Sequence, residues 1–228
     1  MEIIFHDYIQ IAGIIDAEEL KGLINAGVNF LGFPLRLPVN KEDLPEEKAA
    51  ELIKTINEPN HAVLITYLDK AGGIIQFCKK LGSSIVQLHG NIKAAELKIL
   101  KEEFPGITVI KSLIIRNSNL NNLKNTIEKL YPFCDAFITD TFDPDTGATG
   151  ATGKTHDWQI SKTLVEFSPK PVILAGGLTP KNVKEAILFV KPAGVDSHTG
   201  VEGKNGRKDY RLVSEFVNEA KAAFKMLK

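Results

Sequence analysis

Two periodicities alternate along the whole chain. Short, β-branched apolar runs, such as Tyr8–Ala12, Asn29–Phe33, Ala62–Thr66 and Ile85–Leu88, read as buried strands. Between them lie amphipathic segments with helical spacing, as at Ala49, Leu52 and Ile56, or at Leu212, Phe216, Ala220 and Phe224 near the C-terminus. Further strands are expected at 108–112, 136–140, 172–175 and from Gly194, with helices at about 71–81, through Phe104, at about 120–131 and at 157–167. Asp16 with Glu19 three residues on predicts a capping box, and Thr179-Pro180 predicts an N-cap followed by a proline in the first turn.

The pattern amounts to eight strand–helix units without a linker or low-complexity tract. Such a chain is expected to close as a single (β/α)₈ TIM barrel, one α/β domain spanning residues 1–228, rather than an open doubly wound sheet. Length agrees with this, since barrels of this size are commonly one domain.

Charge narrows the function. Twenty-eight basic residues balance twenty-eight acidic ones, so no global field favours nucleic acid or an anionic membrane. The N-terminus lacks a basic start before an apolar stretch, and no apolar run is long enough to span a bilayer, so a cytoplasmic protein is expected. Cys78 and Cys134 belong to no paired motif; buried, inert thiols are expected, with no metal site.

Candidate chemistry collects at strand ends. Gly176-Gly177 after the seventh strand and Thr199-Gly200 after the eighth form a phosphate cradle in this reading, because glycine permits close backbone approach and the loops after these strands frequently bind phosphate. Arg36, His89, Lys111, Asp140 and Asp196 fall at other strand ends and point to the same mouth. Gly147 to Thr155 invites a nucleotide-binding reading, but a P-loop needs glycine where Ala148 stands. A loop closing over the barrel mouth suits its composition better.

Four stretches together carry a family resemblance. They are Val86-Gln87-Leu88-His89-Gly90; Thr139-Asp140-Thr141 followed by Gly150 to Trp158; Leu174 to Leu178 with Asn182-Val183; and Gly194-Val195-Asp196 through Thr199-Gly200-Val201-Glu202 with Gly206 and Lys208-Asp209. Over nearly its whole length the chain resembles phosphoribosylanthranilate isomerase, a barrel enzyme of tryptophan biosynthesis. The resemblance implies an Amadori rearrangement of an N-linked phosphoribosyl aminoaldose to the open-chain aminoketose, with no metal or organic cofactor. It implies Asp140 as general acid, Arg36 as the anthranilate carboxylate ligand, and His89 and Asp196 as substrate-binding residues.

One departure bears on the chemistry. The family base is a cysteine ending the first strand, and the pattern here reads Gln10-Ile11-Ala12-Gly13. A methyl group accepts no proton, and a positioned base is worth about 10²–10⁴-fold. His198, where the family usually has a small residue, is the surrogate base this sequence offers. The second family glycine of the sixth loop is Ala151, and the following aromatic is His156. The expected partner is a small phosphorylated sugar, with neither nucleic acid nor membrane, acting on a monomer or a homodimer. Two alternatives stand beside the isomerase: a paralogue acting on another phosphosugar, and a phosphosugar-binding barrel without turnover.

Overall fold

The computed structural model describes residues 5–38, 43–116, 119–141 and 155–228. Eight parallel strands close into a barrel in chain order. They are β1 (Tyr8–Ala12), β2 (Phe30–Pro34), β3 (His61–Thr66), β4 (Ile85–Leu88), β5 (Thr108–Ile115), β6 (Ala136–Thr141), β7 (Val172–Leu174) and β8 (Gly194–Ser197). Alternating with them are α1 (Ala17–Asn25), α2 (Glu46–Ile53), α3 (Ala71–Leu81), α4 (Ala94–Glu103), α5 (Leu120–Leu130), α6 (Trp158–Phe167), α7 (Val183–Val190) and α8 (Tyr210–Met226).

Every strand is buried on both faces, which is why the strands read as continuous apolar runs. The inner face carries Tyr8, Ala12, Phe30, Val63, Ile65, Ile85, Ile110, Ala136, Ile138, Ile173 and Ala175. The outer face packs against the helices in one larger core that includes Leu31, Leu64, Val109, Leu113, Phe137, Val195 and Phe216. Side chains alternate along a strand, so inner-face membership fixes the direction of the polar neighbours two residues away. Gln10, Gln87, His89, Asp140 and Asp196 point into the barrel.

Lys111 does not. It lies between inner-facing Ile110 and the outer-facing Leu113 row, and its Nζ donates to the carbonyls of Leu88 (3.0 Å) and Ser112 (2.7 Å). Burial lowers its pKa to about 8. The expectation that Lys111 joins the mouth is therefore corrected: the period-two alternation sends it to the helix layer, where it satisfies the carbonyls of Leu88 and Ser112.

The capping box at α1 forms with a variation. The Asp16 carboxylate accepts from Glu19 N at 2.9 Å, whereas Glu19 accepts from Ile15 N (3.1 Å) and, across the barrel seam, from Lys208 N (2.8 Å). Buried Glu19 thus ties the start of α1 to the segment entering α8. α7 begins later than Thr179-Pro180 predicts. The Asn182 side chain accepts from Thr179 N (2.7 Å) and donates to Gly177 O (3.1 Å), building a turn ahead of the helix. Cys78 and Cys134 are buried, and desolvation pushes both thiols up to about 12. The Gly147 to Lys154 stretch, including Ala151 and the expected closing loop, lies outside the described residues.

Candidate active site

The mouth is built from the ends of β1, β4, β6, β7 and β8. On β6, Asp140 is 7% exposed and accepts from Thr141 N at 2.8 Å. Burial raises its pKa to about 7, against the weaker opposing effect of that hydrogen bond. On β8, Asp196 is 8% exposed, and its pKa is likewise pushed up to about 7 by burial and then by the charge of Asp140. Its Oδ1 is buried without a hydrogen-bond partner among the described residues.

A polar chain that sequence reasoning missed runs inside the barrel. The Tyr8 hydroxyl donates to Gln10 Oε1, Gln10 Nε2 donates to Gln87 Oε1 at 2.9 Å, and Gln87 Nε2 meets His89 Nε2 at 2.8 Å. Because each amide oxygen is already used as an acceptor, Gln87 approaches the histidine with an N–H, and His89 Nε2 accepts. The His89 proton is then on Nδ1, an atom buried without a partner among the described residues. Burial and the Lys111 ammonium lower the His89 pKa to about 3, so the ring is neutral and presents one donor. The available signal was period-two placement of Tyr8 and Gln10 with Ala12 on one face of an otherwise apolar strand.

The β7 and β8 loops interlock. Gly176 and Gly177 have φ of +99° and +63°. A Cβ on Gly176 would sit 2.2 Å from Thr141 Oγ1, and one on Gly200 would sit 1.8 Å from the Leu178 carbonyl oxygen. Ser197 Oγ donates to that same carbonyl at 2.8 Å. Thr199–Val201 is a single 3₁₀ turn. The two halves of the cradle are thus latched together through Leu178. Beside them His156 bridges Thr141 Oγ1 (2.9 Å) and Ser161 Oγ (2.6 Å), bracing the residue next to Asp140 against α6.

At the end of β1, Ala12 is buried and Gly13 has φ of +82°. The His198 ring occupies the space beside it, with Nε2 placed 2.0 Å from where a Gly13 Cβ would be. That nitrogen lies 3.6 Å from Glu202 Oε1 and 3.8 Å from Asp43 Oδ2. Burial and the Lys208 ammonium nevertheless hold His198 down to about 3. Lys208 Nζ donates to His198 O (3.1 Å) and Glu202 Oε1 (2.7 Å).

Arg36 is placed differently from the others. Its backbone is left-handed, φ +56°, and its guanidinium forms a two-pronged pair with Glu46 on α2 (2.7 and 3.2 Å) while lying 3.8 Å over the Phe77 ring of α3. Arg36 and Lys80 together pull Glu46 down to about 2.

Comparison with known proteins agrees with this architecture. Residues 9–219 match the profile of the N-(5'-phosphoribosyl)anthranilate (PRA) isomerase family. The chain is 36% identical to N-(5'-phosphoribosyl)anthranilate isomerase 2 of Methanosarcina mazei over 95% of both chains. It is 34% identical to the Haloferax volcanii isomerase, over 94% of this chain and 93% of that one. The solved isomerase of Pyrococcus furiosus superposes with a TM-score of 0.76 at 30% identity, over 95% of this chain and all of that one. The chain belongs to the phosphoribosylanthranilate isomerase family.

Proposed function

We propose that the protein catalyses the Amadori rearrangement of N-(5'-phosphoribosyl)anthranilate, an intramolecular aldose–ketose isomerisation in tryptophan biosynthesis. The observation that carries the reading is Asp140. Its carboxyl is buried on the inner face of β6, and burial raises its pKa to about 7, so a neutral acid is available near neutrality to protonate the furanose ring oxygen. Ring opening gives a Schiff base; loss of the C2′ proton then gives an enolamine that tautomerises to the aminoketose. None of these steps requires a metal or an organic cofactor.

The latched turns at Gly176-Gly177 and Thr199-Gly200 take the 5′-phosphate in this proposal. His89 contributes its Nδ1–H to a sugar oxygen, a role for a neutral donor rather than a base. Arg36 binds the anthranilate carboxylate by exchanging it for Glu46. Among the described residues no helix is long and apolar enough to cross a membrane. A cytoplasmic site of action, as a monomer or homodimer, is part of this proposal.

A second reading has one observation in its favour: the Arg36 fork is already matched by Glu46, which suits a phosphosugar without an anthranilate carboxylate. Generating phosphoribosylanthranilate in situ and following the loss of its fluorescence separates the two. Turnover by the native protein that Asp140→Asn reduces by about 10²-fold or more supports the isomerase. No turnover, combined with binding of a simple pentose 5-phosphate, supports the second reading.

A further inference from the structure

The loss of the cysteine leaves the C2′ proton without its customary acceptor, so the groups that face the mouth can be taken in turn. His89 is excluded as a base because its Nε2 lone pair is occupied by Gln87 and its Nδ1 carries the proton. Both nitrogens of His156 are engaged, with Thr141 and Ser161. Lys111 lies outside the barrel, held by two carbonyls, and both cysteines are buried away from the inner-face residues. His198 Nε2 is turned onto Gly13 between Glu202 and Asp43, on the loop side of the β1 end. A base that holds protons as weakly as this ring does is also poorly matched to abstraction near neutral pH.

Among the described inward-facing residues Asp196 remains, and its placement is specific. It pairs with Gln10 in the β1–β8 ladder, on the strand that ends in Ala12. In the β6–β7 and β7–β8 ladders Thr139 aligns with Leu174 and Leu174 with Val195, so Asp140, Ala175 and Asp196 follow one another on the next inward-facing level. Two strand spacings separate the Asp140 and Asp196 backbones, roughly 10 Å. The residue between them is Ala175, whose side chain is a single methyl. Among the described residues Asp196 Oδ1 is buried without a hydrogen-bond partner, an arrangement that is costly unless a ligand satisfies it.

We propose that Asp196 is the general base of this barrel, taking the C2′ proton that the family's cysteine takes elsewhere, and that it works as a pair with Asp140. The proposal rests on the isomerase reading given above. Asp140 enters protonated and Asp196 ionised; once Asp140 has given up its proton, its charge raises the pKa of Asp196 and strengthens it as a base. Asp140 gives its proton to the ring oxygen as the C1′–O bond breaks, and the nitrogen lone pair forms the C1′=N bond. Asp196 Oδ1 then removes the proton from C2′. The C–H electron pair becomes the C1′=C2′ bond, and the C=N pair returns to nitrogen. The enolamine ketonises as C1′ takes a proton from solvent and the C2′ hydroxyl releases its own, the C1′=C2′ pair forming the C1′–H bond and the O–H pair the C2′=O bond; exchange with solvent then removes the proton from Asp196 and reloads Asp140. No oxidant, reductant or metal enters the balance.

The test uses substrate generated in situ with protium or deuterium at C2′, the native protein, Asp196→Asn, and the double variant Asp196→Asn with Ala12→Cys. Native turnover with a primary isotope effect is expected. Asp196→Asn should lower kcat by about 10²–10⁴-fold while KM changes by less than about threefold, and the added Ala12→Cys should recover at least about tenfold of the loss. Rescue by a thiol placed at the β1 end is a result that a purely structural role for Asp196 does not produce. If Asp196→Asn does not fold by circular dichroism, Asp196→Ser takes its place in both arms. Asp196→Asn with native kcat, or a folded variant whose loss Ala12→Cys leaves unrepaired, overturns the assignment. So does loss of turnover in His198→Gln alone with Asp196→Asn unaffected. A native protein that never turns the substrate over overturns the isomerase reading itself, which keeps the two failures distinct.

Discussion

The carbonyl oxygen of Leu178 holds the two glycine turns together, since Ser197 Oγ donates to it and Gly200 packs directly on it. Gly200 therefore has no room for a side chain: a Cβ would lie 1.8 Å from backbone oxygen, which cannot swing aside as a flexible side chain can. Gly200→Ala is expected to cost about 1–3 kcal/mol in stability, visible as a lower Tm, and to raise KM for any 5-phosphorylated sugar more than it lowers kcat. An unchanged melting temperature would separate the turns from each other. At this scale the sequence was informative where chemistry and geometry coincide. Gly176, Gly177, Gly200, Asp140 and Asp196 could be singled out because glycines and carboxylates at several strand ends converge on one mouth and fall within the motifs of the family resemblance. His89 could be singled out as well, but not its tautomer. That depends on Tyr8 and Gln10, far away in the chain, feeding hydrogen bonds through Gln87.

Between elements, charge pairing decides where the long side chains go. Arg36 leaves β2 in a left-handed conformation and is clamped by Glu46 at the start of α2, which also receives Lys80 from α3. Glu46→Gln weakens this clamp. Its effect on stability should be under about 1 kcal/mol, as for other partly exposed pairs. Its effect on binding should be larger: KM for phosphoribosylanthranilate is expected to fall about threefold to tenfold, roughly 1 kcal/mol, because the guanidinium no longer has to exchange one carboxylate for another. A rise in KM would mean that Glu46 positions Arg36 rather than competes for it. Strand and helix order was legible at this scale because strands buried on both faces differ sharply from amphipathic helices. The misplacements have local causes. Lys111 has a polar head but an outward parity, and α7 starts after Asn182 because its side chain, bonded to Thr179 N and Gly177 O, closes residues 179–182 as a turn ahead of the helix.

For the barrel as a whole, the two inner carboxyls set a balance between stability and activity. Both have folded-state pKa values raised to about 7, well above the usual range for a carboxyl, so the folded state holds protons that the unfolded chain releases. Stability from this source is complete below about pH 4 and declines as pH rises toward about 7, where burying ionised carboxyls carries its full cost. Asp140→Asn and Asp196→Asn are accordingly expected to raise Tm at pH 8 by several degrees, at about 2–4 °C per kcal/mol, and to change it little at pH 4. Equal shifts at both pH values would contradict buried ionisation as the cause. The same groups cost stability and, in the proposed mechanism, supply the acid and base, as expected of a site that departs from the packing rules its surroundings obey. The most direct test of the central claim is to supply phosphoribosylanthranilate carrying ¹³C at C2′ and follow that carbon by NMR. With the native protein the account predicts conversion of the carbinol signal to a ketone signal, and Asp140→Asn should leave it unconverted. Disappearance of the substrate solely by hydrolysis to anthranilate and ribose phosphate, with no ketone carbon formed, would contradict it.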